Sequence, residues 1–200
     1  MNKLFVCLVS LFLSTPLFAV VEIDQTAPNF QLIDSKGNVQ ELEQFRGKKV
    51  ILEWTNHECP FVQKHYSSGN MQGLQKRFTD EDVVWLSIIS SAEGNQGYVT
   101  ADQADELTES RGAAPSFVLL DPSGDVGRTY GAQTTPHMYI VDEEGVLRYN
   151  GAIDSVRSAN PADIEGSDNY IELGMASLAA GEQIKTSLTR PYGCSVKYKK

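Results

Sequence analysis

The sequence predicts an α/β domain with a central mixed β-sheet flanked by helices and opened by an N-terminal β-hairpin. Three observations lead there. Apolar runs of strand length at 50–54, 83–89 and 117–120 read as strands buried on both faces. The stretches between them carry helical spacing and helix-start signals. Alternating segments at either end, 29–33 with 39–42 and 137–141 with 146–149, read as hairpins around polar turns.

Each element has its own local reason. Asp34-Ser35-Lys36-Gly37-Asn38 supplies the turn of the first hairpin. After the strand at 50–54 comes Thr55-Asn56-His57-Glu58-Cys59-Pro60, where Pro60 suits the first position of a helix because its missing N–H costs nothing there. That helix carries Phe61, Val62 and Tyr66 inward, and Ser67-Ser68-Gly69-Asn70 interrupts it before Met71, Leu74 and Phe78 resume the spacing. Thr100 and Gln103 have capping-box spacing for a helix to about Ser110. A short helix at 125–130 follows the third strand, 154–168 reads as a polar loop, and 170–180 as a closing helix. The working crevice of such a sheet lies at the carboxyl ends of its strands, and Cys59 falls there.

Composition narrows the function. The 200 residues hold 17 Lys+Arg against 26 Asp+Glu, a formal net charge of −9, with 41% hydrophobic and 22% charged residues. An acidic balance of this kind argues against nucleic-acid binding and disfavours attraction to an anionic membrane surface. Lys3, an apolar run over 4–13 and the small residue Ala19 form the pattern of a secretory signal. The run is short of the roughly 20 residues that span a bilayer. Residues 1–19 are therefore expected to be a cleaved signal peptide and 20–200 one domain, periplasmic or secreted, with no stable membrane insertion after cleavage; a retained anchor is the alternative.

Cleavage removes Cys7 and leaves only Cys59 and Cys194, 135 positions apart. Two thiols in an exported protein suggest one disulfide or a redox pair. Cys59 stands just before a helix start, where unpaired N–H groups and the positive end of the helix dipole stabilise a thiolate. A protonated His57 would act in the same direction. Glu53, in a strand buried on both faces, is expected to have a raised pKa unless a lysine pairs with it. His65 is expected at the surface, and Trp54 beside the site.

Ala27-Pro28-Asn29-Phe30, Asp34 with Gly37, Phe45-Arg46-Gly47-Lys48 and the strand leading into Cys59-Pro60 resemble the thioredoxin superfamily, in its alkyl-hydroperoxide-reductase/thiol-specific-antioxidant, peroxiredoxin-like branch. Asn56-His57-Glu58-Cys59-Pro60-Phe61-Val62 and Gly193-Cys194-Ser195-Val196-Lys197 extend the resemblance over about 26–198. It implies a thioredoxin-like fold, a cis Pro136 beside the active cysteine, a Thr135 backbone open to an extended substrate, and Glu53 as a buried proton-shuttling acid. It also implies a thiol-dependent oxidoreductase and antioxidant with Cys59 as nucleophile. Its substrate is a peroxide or a protein or small-molecule disulfide, its reductant an unidentified thiol, and no cofactor is expected. Cys194 is then a resolving thiol, a static disulfide partner or out of contact. The sequence departs from the thioredoxin Cys-x-x-Cys at Val62, which excludes exchange within one motif. It departs from the peroxiredoxin Thr or Ser at Asn56, with Thr55 one residue further back. A second reading has His57, Cys59 and His137 converge on copper or zinc, which soft thiolate and imidazole ligands would suit.

Overall fold

The computed structural model describes residues 21–200, so the proposed signal segment lies outside the described residues. Seven strands form one mixed sheet in the order β2-β1-β5-β4-β3-β7-β8. They are β1 (Gln31–Asp34), β2 (Val39–Glu41), β3 (Val50–Trp54), β4 (Val84–Ile89), β5 (Phe117–Leu120), β7 (His137–Val141) and β8 (Leu147–Gly151). The two short strands β6 (Thr134–Thr135) and β9 (Cys194–Ser195) pair separately. The helices are α1 (Pro60–Ser67), α2 (Asn70–Asp80), α3 (Ala101–Ser110), α4 (Asp125–Tyr130) and α5 (Tyr170–Ala179).

β3, β4 and β5 run parallel, whereas β7 is antiparallel to β3 and β1 antiparallel to β5. The first hairpin pairs Gln31 with Glu41 and Ile33 with Val39. Its turn is tied by the Asp34 carboxylate, which accepts the Lys36 and Asn38 N–H groups, each at 2.9 Å.

Alternation along the buried strands builds a core on each face. Val50, Leu52 and Trp54 pack with Leu86, Ile88, Tyr139 and the α4 residue Tyr130, whose ring centre lies 5.3 Å from that of Trp54. Ile51, Trp85 and Met138 face the other way, against Met71, Leu74 and Phe78 of α2 and Ile171 and Met175 of α5. Thr100 forms the expected capping box with Gln103 at the start of α3. Gly69, at φ 77°, separates α1 from α2 in a backbone conformation that suits glycine.

Beyond α5 the chain returns to the far end of the sheet. Thr135 pairs with Cys194 and Thr134 with Ser195. Val196 N–H donates to the Gln133 carbonyl at 3.0 Å, and the Lys197 carbonyl accepts Ala92 N–H at 2.9 Å. The Tyr198 hydroxyl ends the run by donating to the Ala132 carbonyl at 2.7 Å.

Candidate active site around Cys59

Cys59 is the N-cap residue of α1, in extended backbone conformation (φ −76°, ψ 123°), with Pro60 in the first turn. The loop before it is braced. Asn56 Oδ1 accepts Glu58 N–H at 2.9 Å, Asn56 Nδ2 donates to the Gln96 carbonyl, and Glu58 Oε2 accepts Gly97 N–H at 2.7 Å. Gly97 sits so close that a Cβ there would meet Asn56 at 2.3 Å. Asn56 thus anchors the loop, at the position where peroxiredoxins carry a hydroxyl.

The Cys59 thiol donates to the Thr135 carbonyl at 3.1 Å and accepts Cys194 N–H at 3.4 Å. The Thr135–Pro136 bond is cis. Both cysteines are free thiols in this structure, and the close approach excludes the option that Cys194 lies out of contact. Burial pushes the Cys59 thiol up. Hydrogen bonds from the Cys194 thiol and from the N–H groups of Cys194 and Val62 outweigh it, and the net pKa lies below the ordinary thiol value. For Cys194, burial comes first, then its hydrogen bond to Cys59 and the Cys59 charge; together they push it up to about 11. The pair therefore favours a thiolate at Cys59 and a thiol at Cys194.

Cys59 itself is 0% exposed, and the tail pairs with Thr135 beside it. Three expectations need correction. The Thr135 backbone was expected to stand open to substrate, and Cys194 occupies it instead. His65 is buried rather than at the surface: Nδ1 contacts Asn70 Nδ2 at 2.9 Å, and burial lowers its pKa to about 4. The trio His57, Cys59 and His137 does not converge. Both ring nitrogens of His137 are engaged, Nε2 with Asn150 Oδ1 at 2.8 Å and Nδ1 as acceptor of Gln133 N–H at 3.2 Å, and burial holds its pKa near 4. Among the described residues, no three His, Cys, Asp or Glu side chains could hold a metal ion.

His57 lines a groove with Tyr98, Gln103 and Leu107 on the α3 side. Its pKa is lowered, by burial first and then by the charge of Arg111, which works against the protonated form that would assist Cys59. Glu53 is fully buried with four donors on its carboxylate: Tyr66 hydroxyl, Gln75 Nε2, Trp85 Nε1 and Ser87 hydroxyl, at 2.9–3.1 Å. Burial outweighs these donors and raises its pKa. Among the described residues no lysine pairs with it, which corrects that alternative. Trp54 is buried at the end of β3, opposite His137, and donates to the Ser90 hydroxyl at 3.0 Å.

Sequence reasoning missed the buried cation Lys64, its partner Asp154 and the tail residue Tyr192. A signal existed: Phe61, Lys64 and His65 stand at i, i+3 and i+4, one face of α1. Gly193 was noted only as part of a motif, and its steric role was missed. At φ 138° its Cα lies so close to Thr135 that a Cβ would fall 1.9 Å from the carbonyl oxygen.

Comparison with known proteins agrees with this architecture. A thioredoxin-like protein, YneN of Bacillus subtilis (strain 168), is 29% identical over 129 residues, 64% of this chain and 70% of that protein. The thiol-disulfide oxidoreductase ResA of Bacillus thuringiensis subsp. konkukian (strain 97-27) is 25% identical over 128 residues, 62% of this chain and 66% of its own length. The crystal structure of an uncharacterized conserved protein from Geobacillus kaustophilus superposes with a TM-score of 0.78 at 24% identity, covering 92% of this chain and 94% of the other. The AhpC/TSA family matches residues 23–150, and the chain belongs to that family, with a thioredoxin-like fold.

Proposed function

We propose that this protein is an exported thiol–disulfide oxidoreductase in which Cys59 is the nucleophile and Cys194 the resolving thiol. The observation that carries the reading is the β6–β9 pairing, which sets Cys194 N–H 3.4 Å from the Cys59 sulfur at the start of a helix. The two relatives bear the names of thioredoxin-like and thiol–disulfide oxidoreductase proteins, which supports the reaction class. Export rests on the signal pattern of residues 1–19 and on the two cysteines beyond it. Among the described residues no helix is long and apolar enough to cross a membrane.

The exchange proceeds in two displacements. Cys59 thiolate attacks a substrate disulfide, RS–SR, forming a Cys59–S–SR bond and releasing RS⁻. The charge on Cys59 is then gone, and with it two of the influences that hold Cys194 protonated, the hydrogen bond to Cys59 and the repulsion from its charge. Cys194 gives up its proton and attacks the Cys59 sulfur, closing Cys59–S–S–Cys194 and releasing a second RS⁻, which takes that proton. The substrate gains two electrons; an external thiol later restores both cysteines. Because the tail covers Cys59, an incoming disulfide reaches it as β9 lifts from Thr135. Glu53 is the buried acid on the α2 side of β3 that would store a proton during this cycle.

Membership of the AhpC/TSA family favours a second substrate, a hydroperoxide. Cys59 thiolate would attack one oxygen of ROOH and become a sulfenic acid, the O–O bond breaking to release RO⁻, which takes a proton from solvent to leave as ROH; condensation with the Cys194 thiol would then form the disulfide and release water.

Intact-mass analysis after one equivalent of oxidant tests both. With a small-molecule disulfide, the protein is expected to lose two alkylatable thiols and yield a non-reduced peptide linking Cys59 to Cys194. Cys59→Ser abolishes the reaction and Cys194→Ser traps the mixed disulfide. Faster closure with peroxide than with disulfide favours the second substrate. Persistence of both thiols with either oxidant defeats the proposal.

A further inference from the structure

The tail is anchored immediately before Cys194. Tyr192 is buried, and its hydroxyl donates to one oxygen of Asp154. The other oxygen of Asp154 takes Lys64 Nζ at 2.7 Å. The Lys64 side chain is 0% exposed, and Nζ also meets the Val156 carbonyl at 3.1 Å and the Tyr192 hydroxyl at 3.4 Å. Its three N–H donors thus have three partners, as burial of such a polar group requires. The Tyr192 ring also meets Phe61 edge-on, with centres 5.7 Å apart. The two-step exchange above uses none of these groups.

Their placement gives them a use. α1 begins at Cys59, and Phe61 and Lys64 occupy its first and second turns. One helix therefore holds the nucleophile at its start and, one turn further on, the seat of the tail that carries the second thiol. Only Gly193 separates the anchored Tyr192 from Cys194. A tether this short leaves little slack, and the effective concentration of a tethered group depends on such slack.

We propose that Lys64, Asp154 and Tyr192 are positioning residues: they lock the root of the tail to the helix of the nucleophile and so set the effective concentration of Cys194 at Cys59. The inference rests on the thiol-exchange reading above, and its chemistry is the same two displacements, with a small-molecule disulfide as oxidant.

The test equilibrates purified protein in mixtures of oxidised and reduced glutathione and measures the fraction closed as the Cys59–Cys194 disulfide. Tyr192→Phe keeps the ring against Phe61 and removes only the hydroxyl. Its closure constant is expected to fall about tenfold or more, the scale set by losing a hydrogen bond to a charged group. Asp154→Asn is the second variant, with the same expectation. In a Cys194→Ser background, Tyr192→Phe should leave the rate of glutathione addition to Cys59 unchanged or faster. A closure constant within about twofold of wild type in both variants overturns the positioning role while the exchange reading stands. An equal slowing of glutathione addition in the Cys194→Ser background overturns it as well, by showing general damage. A wild-type protein that never closes the disulfide removes the exchange reading itself, and the positioning role with it.

Discussion

At the scale of single residues, the two cysteines act on each other unequally. Cys59 collects hydrogen bonds from the Cys194 thiol and from the N–H groups of Cys194 and Val62, whereas Cys194 has a thiolate for a neighbour. Replacing Cys194 by Ala removes the thiol donor and keeps the N–H. The pH at which Cys59 alkylation reaches half its maximal rate should then move up towards that of an ordinary thiol, about 8.5. An unchanged midpoint would show that the Cys194 thiol contributes nothing. Glu53 has an opposed balance, with four donors facing its carboxylate against full burial, and burial prevails.

At the scale of elements, the decisive feature is the short pairing of β6 with β9, which closes the site with the protein's own tail. Gly193 permits it, because any other residue would drive a Cβ into the Thr135 carbonyl at 1.9 Å. Gly193→Ala is therefore expected to detach β9. The amides of Cys194 and Val196 should exchange with solvent faster, and Cys59 should react faster with alkylating reagents at high pH, where every thiol is ionised. Exchange and reactivity like those of wild type would mean that the tail does not gate Cys59. Downstream of Cys194, Tyr198 packs over α4, where a Cβ on Gly124 or Gly127 would meet its ring or hydroxyl at 2.4–2.5 Å. The segment around Cys194 is thus held on both sides.

At the scale of the whole molecule, buried charge and buried histidines set the response to mutation and acid. Lys64→Met leaves Asp154 without its cation in the interior, and breaking a buried pair in this way costs about 3–5 kcal/mol. The urea midpoint should fall accordingly, and pairing the change with Asp154→Leu should recover much of the loss. His65 and His137 both have folded pKa values of about 4, below their ordinary 6.5, so between those values the unfolded chain binds more protons than the folded one. Their contribution is complete above pH 6.5 and is lost as the pH falls towards 4. Glu53, with a raised folded value, has the opposite sign: its contribution is lost as the pH rises through that value. The histidine share is isolated by His65→Gln, whose decline in stability from pH 7 to 5 should be shallower than that of wild type. A steeper decline would contradict the assignment.

What the sequence determined by itself is what local physics encodes. Period-two and fully apolar runs marked the strands, Thr100 with Gln103 marked the cap of α3, and Pro60 after Cys59 marked the start of α1. These signals depend on neighbours a few positions away, and they are enough to put a sulfur at a helix start. The tertiary structure alone decided which groups meet across 90 to 135 positions: Lys64 with Asp154, and Cys59 with Cys194. His65 was read as exposed, one turn and a half along α1, yet it and Lys64 turn inward once Asp154 is there to receive them. The second reading made His137 a ligand because it follows Pro136, but Asn150 on the neighbouring strand claims its ring. A polar side chain is stable in the interior only with a partner, and the partner's position is set by chain closure rather than by local pattern.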